Sequence, residues 1–156
     1  MVPWLYITLW YKEGSWKFVT STYTAAGNVW TDLVGVNAVG NTITKTEGNG
    51  WGNSGAASIG TITADGKVNF RADETNTYRM CDLSSSNTDA HYATINYALL
   101  LTSRGTIQTY ESGVYKGSFG NYMVSDRFSI ERVGSAILYK KMTLYFTPAP
   151  KQAMAV

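Results

Sequence analysis

Apolar and polar residues alternate along most of this chain. In "ATINYALLL", residues 93–101, Ile95, Tyr97, Leu99 and Leu101 fall on one side, and Thr94 and Asn96 on the other. In "DRFSIERV", Phe128 and Ile130 oppose Ser129 and Glu131. In "GKVNFRA", Val68 and Phe70 oppose Asn69 and Arg71. A period of two marks a strand with one covered face. Helical spacing is almost absent.

The pattern predicts about twelve strands, at 4–11, 16–23, 28–36, 41–46, 56–63, 67–73, 77–82, 93–102, 106–111, 114–119, 126–132 and 136–147. The last is long, and "YKKMTLY" can hide a hairpin. Turn signals punctuate the runs: "ADGK" at 64–67, "SRGT" at 103–106, "ESGV" at 111–114 and "RVGS" at 132–135. The glycine of each can supply the positive φ of a tight hairpin. "SSSNTDAHY", 84–92, is the longest loop between strong strands and has room for one helical turn. "PAPKQAMAV" at the end reads as a tail that leaves the sheet. Short strands at this spacing indicate an all-β fold, a jelly-roll sandwich of two antiparallel sheets in one domain.

Residues 1–27 read as an additional hairpin, "PWLYITLWY" and "WKFVTSTY", joined at Lys12–Ser15. Alternation in the first strand groups Trp4, Tyr6, Thr8 and Trp10 against Leu5, Ile7, Leu9 and Tyr11. Both faces are apolar, so both need cover. A second subunit would supply it and make the protein a homo-oligomer through residues 1–27. The competing explanation is burial of both faces within one thicker core.

From Val29 to about Thr147 seven stretches follow one another in an order that suggests a family: "VWTDLVGV", "GNTITKT", "GWGNSGA", "ETNTYRM", "LSSSNTDA", "YESGVYKGSFGNY" and "DRFSIER". In these the chain resembles the lectin/glucanase-like (concanavalin-type) β-sandwich modules of bacterial surface and secreted proteins. The resemblance implies a jelly roll in a non-catalytic, often adhesive setting, and brings no catalytic residues. Two features depart from it. "KKMT" stands where Asn-Gly is expected in a hairpin, and residues 1–27 have no counterpart.

Composition narrows the function classes. Charged residues are 15% and aromatics 13%, with a net charge of +2 and no cluster of bases. Nucleic-acid binding needs such a cluster, so it is not expected. "MVPWLYITLW" holds no base and is too short and interrupted for a signal peptide or a membrane span, so no membrane insertion is expected. The expected location is extracellular, cell-surface or virion-associated. Cys81 is the sole cysteine and reads as a buried, inert thiol.

Catalytic chemistry finds little footing. Glycoside hydrolysis needs two facing carboxyls, about 5–5.5 Å apart for retention and about 6.5–9.5 Å for inversion. Asp73 and Glu74 are adjacent and point to opposite faces of a strand. Asp126 and Glu131 differ by an odd number, and Glu111 is solitary. His91 is the only histidine, with Asp89 nearby but no nucleophile elbow. "GNGWGNSG", 48–55, lacks the lysine of a phosphate loop and reads as a flexible turn around Trp51. The chain is expected not to be an enzyme.

Two binding chemistries remain. "DLSSSNTD" offers Asp82, Asn87 and Asp89 as oxygen ligands for calcium, although Asp and Asn also serve loops as turn formers. Otherwise no cofactor is expected. Sugar binding suits the residue types best. Aromatic faces stack on pyranose rings, and polar side chains read the hydroxyls. The candidates are Trp51, Tyr110, Tyr115 and Tyr122, with Asn53 and Arg79 beside them. Aromatic residues in sandwiches also fill cores, so the tyrosines of 110–122 are expected to divide between core and rim. The expected function is recognition or adhesion through a glycan or cell-surface ligand. The alternative is a structural part of an assembly, such as a fibre tip, capsid decoration or surface layer.

Overall fold

The computed structural model describes residues 8–11, 15–17, 30–40 and 42–142. They form thirteen strands: β1 (Thr8–Tyr11), β2 (Ser15–Lys17), β3 (Trp30–Val34), β4 (Val36–Val39), β5 (Thr42–Lys45), β6 (Gly55–Ser58), β7 (Gly66–Arg71), β8 (Arg79–Leu83), β9 (Tyr97–Leu101), β10 (Thr106–Glu111), β11 (Val114–Asn121), β12 (Arg127–Val133) and β13 (Ala136–Met142). One 3₁₀ turn, Tyr92–Thr94, lies between β8 and β9. The fold is all-β, and every strand pairing is antiparallel.

Three sheets, not two, are present among the described residues. A seven-stranded sheet runs β11-β10-β9-β8-β1-β6-β3. Two three-stranded sheets run β13-β12-β7 and β2-β5-β4. Alternation sorts the large sheet's residues by face. Cys81, Leu83, Leu99, Leu101 and Ile107 enter the main core with Ala56. The small sheets contribute Val68, Phe70, Phe128 and Ile130 from one, and Ile43 from the other. Phe70 stacks on Phe128 with ring centroids 5.3 Å apart, and Tyr122 meets Phe128 edge-on. Each buried ring of this size contributes about 1.5–3 kcal/mol relative to exposure.

The expected alternation of Val68/Phe70 and of Phe128/Ile130 is therefore that of core strands. Ile95 departs from it. Its chain has already left β9 for the 3₁₀ turn, and it packs with Met80, Ala98 and Leu100 in a second apolar cluster. The large sheet is thus apolar on both faces around β8 and β9.

Residues 1–27 are described only at β1 and β2, and these do not pair with each other. β1 lies between β6 and β8, with Leu9 opposite Ala56 and Cys81, and Trp10 opposite Gly55 and Met80. β2 joins β5 in a small sheet, with Trp16 opposite Ile43. The described parts of this segment thus belong to two different sheets, β1 to the large one and β2 to a small one. The reach of the tail beyond 142, "TLYF" included, lies outside the described residues. β13 itself pairs with β12 from Ala136 to Met142, so no hairpin falls at Lys140–Met142.

One glycine divides a predicted strand in two. Residues 28–36 were expected to be continuous, but Gly35 has φ +53° and separates β3 from β4. Its carbonyl accepts from the Thr46 N–H at 2.9 Å. A Cβ there would stand 2.2 Å from the Asn53 carbonyl oxygen and 2.5 Å from Glu47 Cγ. Gly105, Gly113 and Gly134 adopt the expected positive φ in their turns. Gly66 does not: it opens β7 in extended form, with Ile62 packed where a Cβ would go.

Gly35→Ala should therefore destabilise the fold by at least about 3 kcal/mol, since strain and a backbone clash add. Gly40→Ala, at φ +56° with nothing within 4 Å, should cost only about 1–2 kcal/mol. Urea midpoints of the two variants check the contrast.

Candidate functional site

The outer face of the large sheet carries a cleft of about 750 Å³. Its floor follows from strand register. Met80 of β8 stands opposite Leu100 of β9, Leu100 opposite Gln108 of β10, and Gln108 opposite Ser118 of β11. All four line the cleft. Their neighbours Cys81 and Leu99 point the other way, into the main core.

One end of the cleft is aromatic, built by Trp51, Tyr78, Tyr92 and Tyr110. Trp51 meets Tyr78 and Tyr92 edge-on, each at 6.1 Å between centroids. Tyr92 meets Tyr110 at 6.3 Å, and Tyr110 meets Tyr115 at 5.7 Å, again edge-on. Edge-to-face contacts of this kind stabilise each ring by about 0.5–1.5 kcal/mol beyond burial. They hold the row as a rigid wall.

Three loops place these rings. Asn53 Nδ2 donates to the Gly48 carbonyl at 3.0 Å, and Lys45 Nζ donates to Asn53 Oδ1 at 2.7 Å and to the Gly50 carbonyl at 3.2 Å. The loop around Trp51 is thus pinned, where a flexible turn was expected. Asp89 Oδ1 accepts from the His91 N–H and the Thr94 hydroxyl, and His91 Nδ1 accepts from the Ala93 N–H. These bonds fix the 3₁₀ turn that carries Tyr92. The β10–β11 hairpin turns at Ser112 (φ 49°) and Gly113 (φ 74°), the left-handed pair that matches the twist of its strands. The Ser112 N–H donates to the Asn96 carbonyl at 2.9 Å. A Cβ on Gly113 would lie 2.8 Å from Ala93 Cα, so glycine lets the hairpin dock on the turn below Tyr92. "YESGVYKGSFGNY" is therefore a hairpin whose turn seats the aromatic wall.

The other end is polar: Thr102, Arg104, Thr106, Gln108 and Ser118. Among the described residues the lining contains no Asp or Glu.

Of the sequence-predicted ligand residues, Trp51 and Tyr110 line the cleft, and Tyr115 extends the aromatic row at its rim. Asn53 positions Trp51's loop without lining the cleft. Arg79 and Tyr122 belong elsewhere. Both are in the interior, Arg79 at 0% and Tyr122 at 3% exposure. Arg79 Nη1 pairs with Glu74 Oε1 at 3.0 Å, and its Nη2 donates to the Glu74 carbonyl and to the Tyr122 hydroxyl. Tyr122 Oη in turn donates to the Thr102 carbonyl at 2.8 Å. Arg79 falls on the core face because it is in step with Cys81 and Leu83.

The calcium candidates have three separate duties. Asp82 is fully buried and accepts from the Ser84 hydroxyl at 2.8 Å. Asn87 donates to Asp32 at 2.8 Å, and Asp89 fixes the 3₁₀ turn. Among the described residues no group of three or more His, Cys, Asp or Glu is placed to hold a metal ion. Nor is any helix among them long and apolar enough to cross a membrane.

Sequence reading missed Tyr78, Met80, Tyr92 and Leu100. A signal was present: "YRMCDL" and "YALLL" are apolar at odd and even positions alike, as a strand covered on both faces requires. The thiol of Cys81 lies in the main core, where burial raises its pKa well above the ordinary value. Burial also raises the phenols of Tyr110, Tyr122 and Tyr139, with Glu111 adding to the effect at Tyr139.

Tyr122→Phe should cost about 1–2 kcal/mol in urea unfolding by removing a buried hydrogen bond, while Tyr115→Phe at the exposed rim should stay within about 0.5 kcal/mol. Raised phenol pKa values give stability that is complete below the unfolded value near 10 and is lost as pH rises above it. Thermal stability should fall steeply between about pH 10 and 12, with part of the tyrosinate absorbance appearing only on unfolding. Cys81 should resist thiol reagents until the protein unfolds.

Compared with known protein families, curated proteins and solved structures, the chain matches none.

Proposed function

We propose that this protein is a non-catalytic recognition module that binds a glycan in the cleft on the outer face of its large sheet. The observation that carries the reading is the cleft's division into an aromatic wall and a neutral-to-basic hydrogen-bonding floor. Ring faces there can meet the C–H faces of sugars, and Thr, Gln, Ser and Arg side chains can meet hydroxyls. Among the described residues the lining offers no carboxyl for protonating a leaving group or activating water, which favours binding over hydrolysis.

A jelly roll is the topology that suits this reading. β2 and β7 approach each other, so the two small sheets can act as one back layer against the seven-stranded front. Such a module is at home on a cell surface or virion. A second reading, a structural role in an assembly, rests on one further observation. β11 is a sheet edge, and Val114, Tyr115 and Phe119 on it are exposed, with Met123 and Val124 just beyond. Exposed edges of this kind pair with other chains.

A glycan array followed by titration of the best binder tests the first reading. Trp51→Ala and Tyr110→Ala should each weaken binding by about 1–3 kcal/mol, the scale of losing a stacked anchor, with the fold intact by circular dichroism. Unchanged affinity in both variants would remove the cleft from the site.

A further inference from the structure

We propose, on the footing of the glycan-binding reading, that the cleft takes an acidic glycan chain. The carboxylate or sulfate group sits at the Arg104 end, and a sugar ring stacks at the Trp51 end.

The polarity of the hydrogen bonds leads there. Thr102 Oγ1 accepts from the Arg104 N–H at 3.3 Å and from the Thr106 N–H at 3.1 Å. Both lone pairs are then used, so the Thr102 hydroxyl hydrogen goes to Thr106 Oγ1, 2.6 Å away. The Thr106 hydroxyl hydrogen is left for the cleft. Gln108 Oε1 accepts from the Tyr110 hydroxyl at 3.4 Å, which leaves the Gln108 amide N–H groups for a ligand. Arg104 is exposed, lines the cleft and brings a guanidinium that is donor-only.

Arg104, Thr106 and Gln108 thus form a row of donors, and among the described residues no Asp or Glu in the lining competes for the guanidinium. A ligand that fits such a row is rich in acceptors and negatively charged. An anionic acceptor on a guanidinium forms the stronger, charge-assisted bond. From Thr106 to Tyr110 the strand spans roughly 14 Å, so the charged and aromatic ends lie further apart than one sugar ring reaches. A single-stranded nucleic acid would need cations along the whole groove, and among the described residues the lining has a single Arg and no Lys.

Titration with hexasaccharides of polygalacturonate, polyguluronate and heparin tests this, each against its carboxyl-reduced or desulfated counterpart. At least one acidic hexasaccharide should bind roughly tenfold or more tightly than its neutral counterpart, since a charge-assisted bond adds that much. The preference should shrink as salt rises. Arg104→Gln should abolish the preference while leaving the urea midpoint unchanged. If every neutral hexasaccharide binds as well as its acidic parent, the inference is overturned but glycan binding stands. The same holds if the preference persists in Arg104→Gln. If no glycan of either kind shifts the Trp51 indole N–H resonance, both readings fail. Tighter binding of an oligothymidylate than of every hexasaccharide also overturns the inference.

Discussion

A single buried cation organises much of this fold. The Arg79 guanidinium is withdrawn from water, and an isolated charge in that position would cost several kcal/mol. It is tolerated because Glu74 supplies a carboxylate and a carbonyl, and Tyr122 a hydroxyl that continues to Thr102. The Thr77 hydroxyl also bonds the same Glu74 oxygen, at 2.7 Å. The arrangement ties the 74–77 loop, the first residue of β8, the end of β11 and the end of β9 to one point. Two of these elements are also parts of the cleft. Tyr78 and Met80 flank Arg79 in sequence and project to the opposite face, and Thr102 begins the turn that carries Arg104. The charge that holds the interior therefore also sets where the two ends of the cleft lie.

The large sheet can hold a site on its outer face because that face is not simply wet. Met80, Ala98 and Leu100 cover it with Ile95, and the tyrosines of positions 78, 92 and 110 pack against them. A sheet covered on both faces needs central strands that are apolar at odd and even positions. β1, held between β6 and β8, is such a central strand.

What sequence could reveal follows from how local each cause is. Alternation is local, so most strands, the hairpin turns at Gly105, Gly113 and Gly134, and the inward faces of β7 and β12 were legible. The break at Gly35 comes with its positive φ, and the Asn53 carbonyl and Glu47 that leave no room for a Cβ there come close only after folding. Ile95 looked like part of a strand because residues 93–96 alternate by chance across a 3₁₀ turn. Arg79 and Tyr122 looked like ligand residues because type suggests use. Arg79 is in step with the core residue Cys81, and Tyr122 meets Phe128 edge-on in the core, relations visible only once the strands are placed. Trp51 and Tyr110 were legible as candidates, but the loop contacts that bring them together span dozens of residues.

The cleft's construction also bears on the choice between binding and catalysis. Its floor is strand, and each loop of the aromatic wall is pinned: Trp51's by Asn53 and Lys45, Tyr92's by Asp89 and His91, and Tyr110's by the hairpin turn against Ala93. Rigid aromatic anchors lose little conformational freedom when a ligand binds, so more of the contact energy appears as affinity. Catalysis would need, beyond rigidity, a group that moves a proton to or from the substrate. The nearest acid in step with the floor is Asp82, opposite Ala98, which itself stands opposite Tyr110. It is fully buried, takes the Ser84 hydroxyl and does not line the cleft. Glu111, one residue beyond Tyr110, is on the other face, where it accepts from the Tyr139 hydroxyl. Alternation thus carries Glu111 to the opposite face of the sheet, and burial holds Asp82 in a hydrogen bond with Ser84.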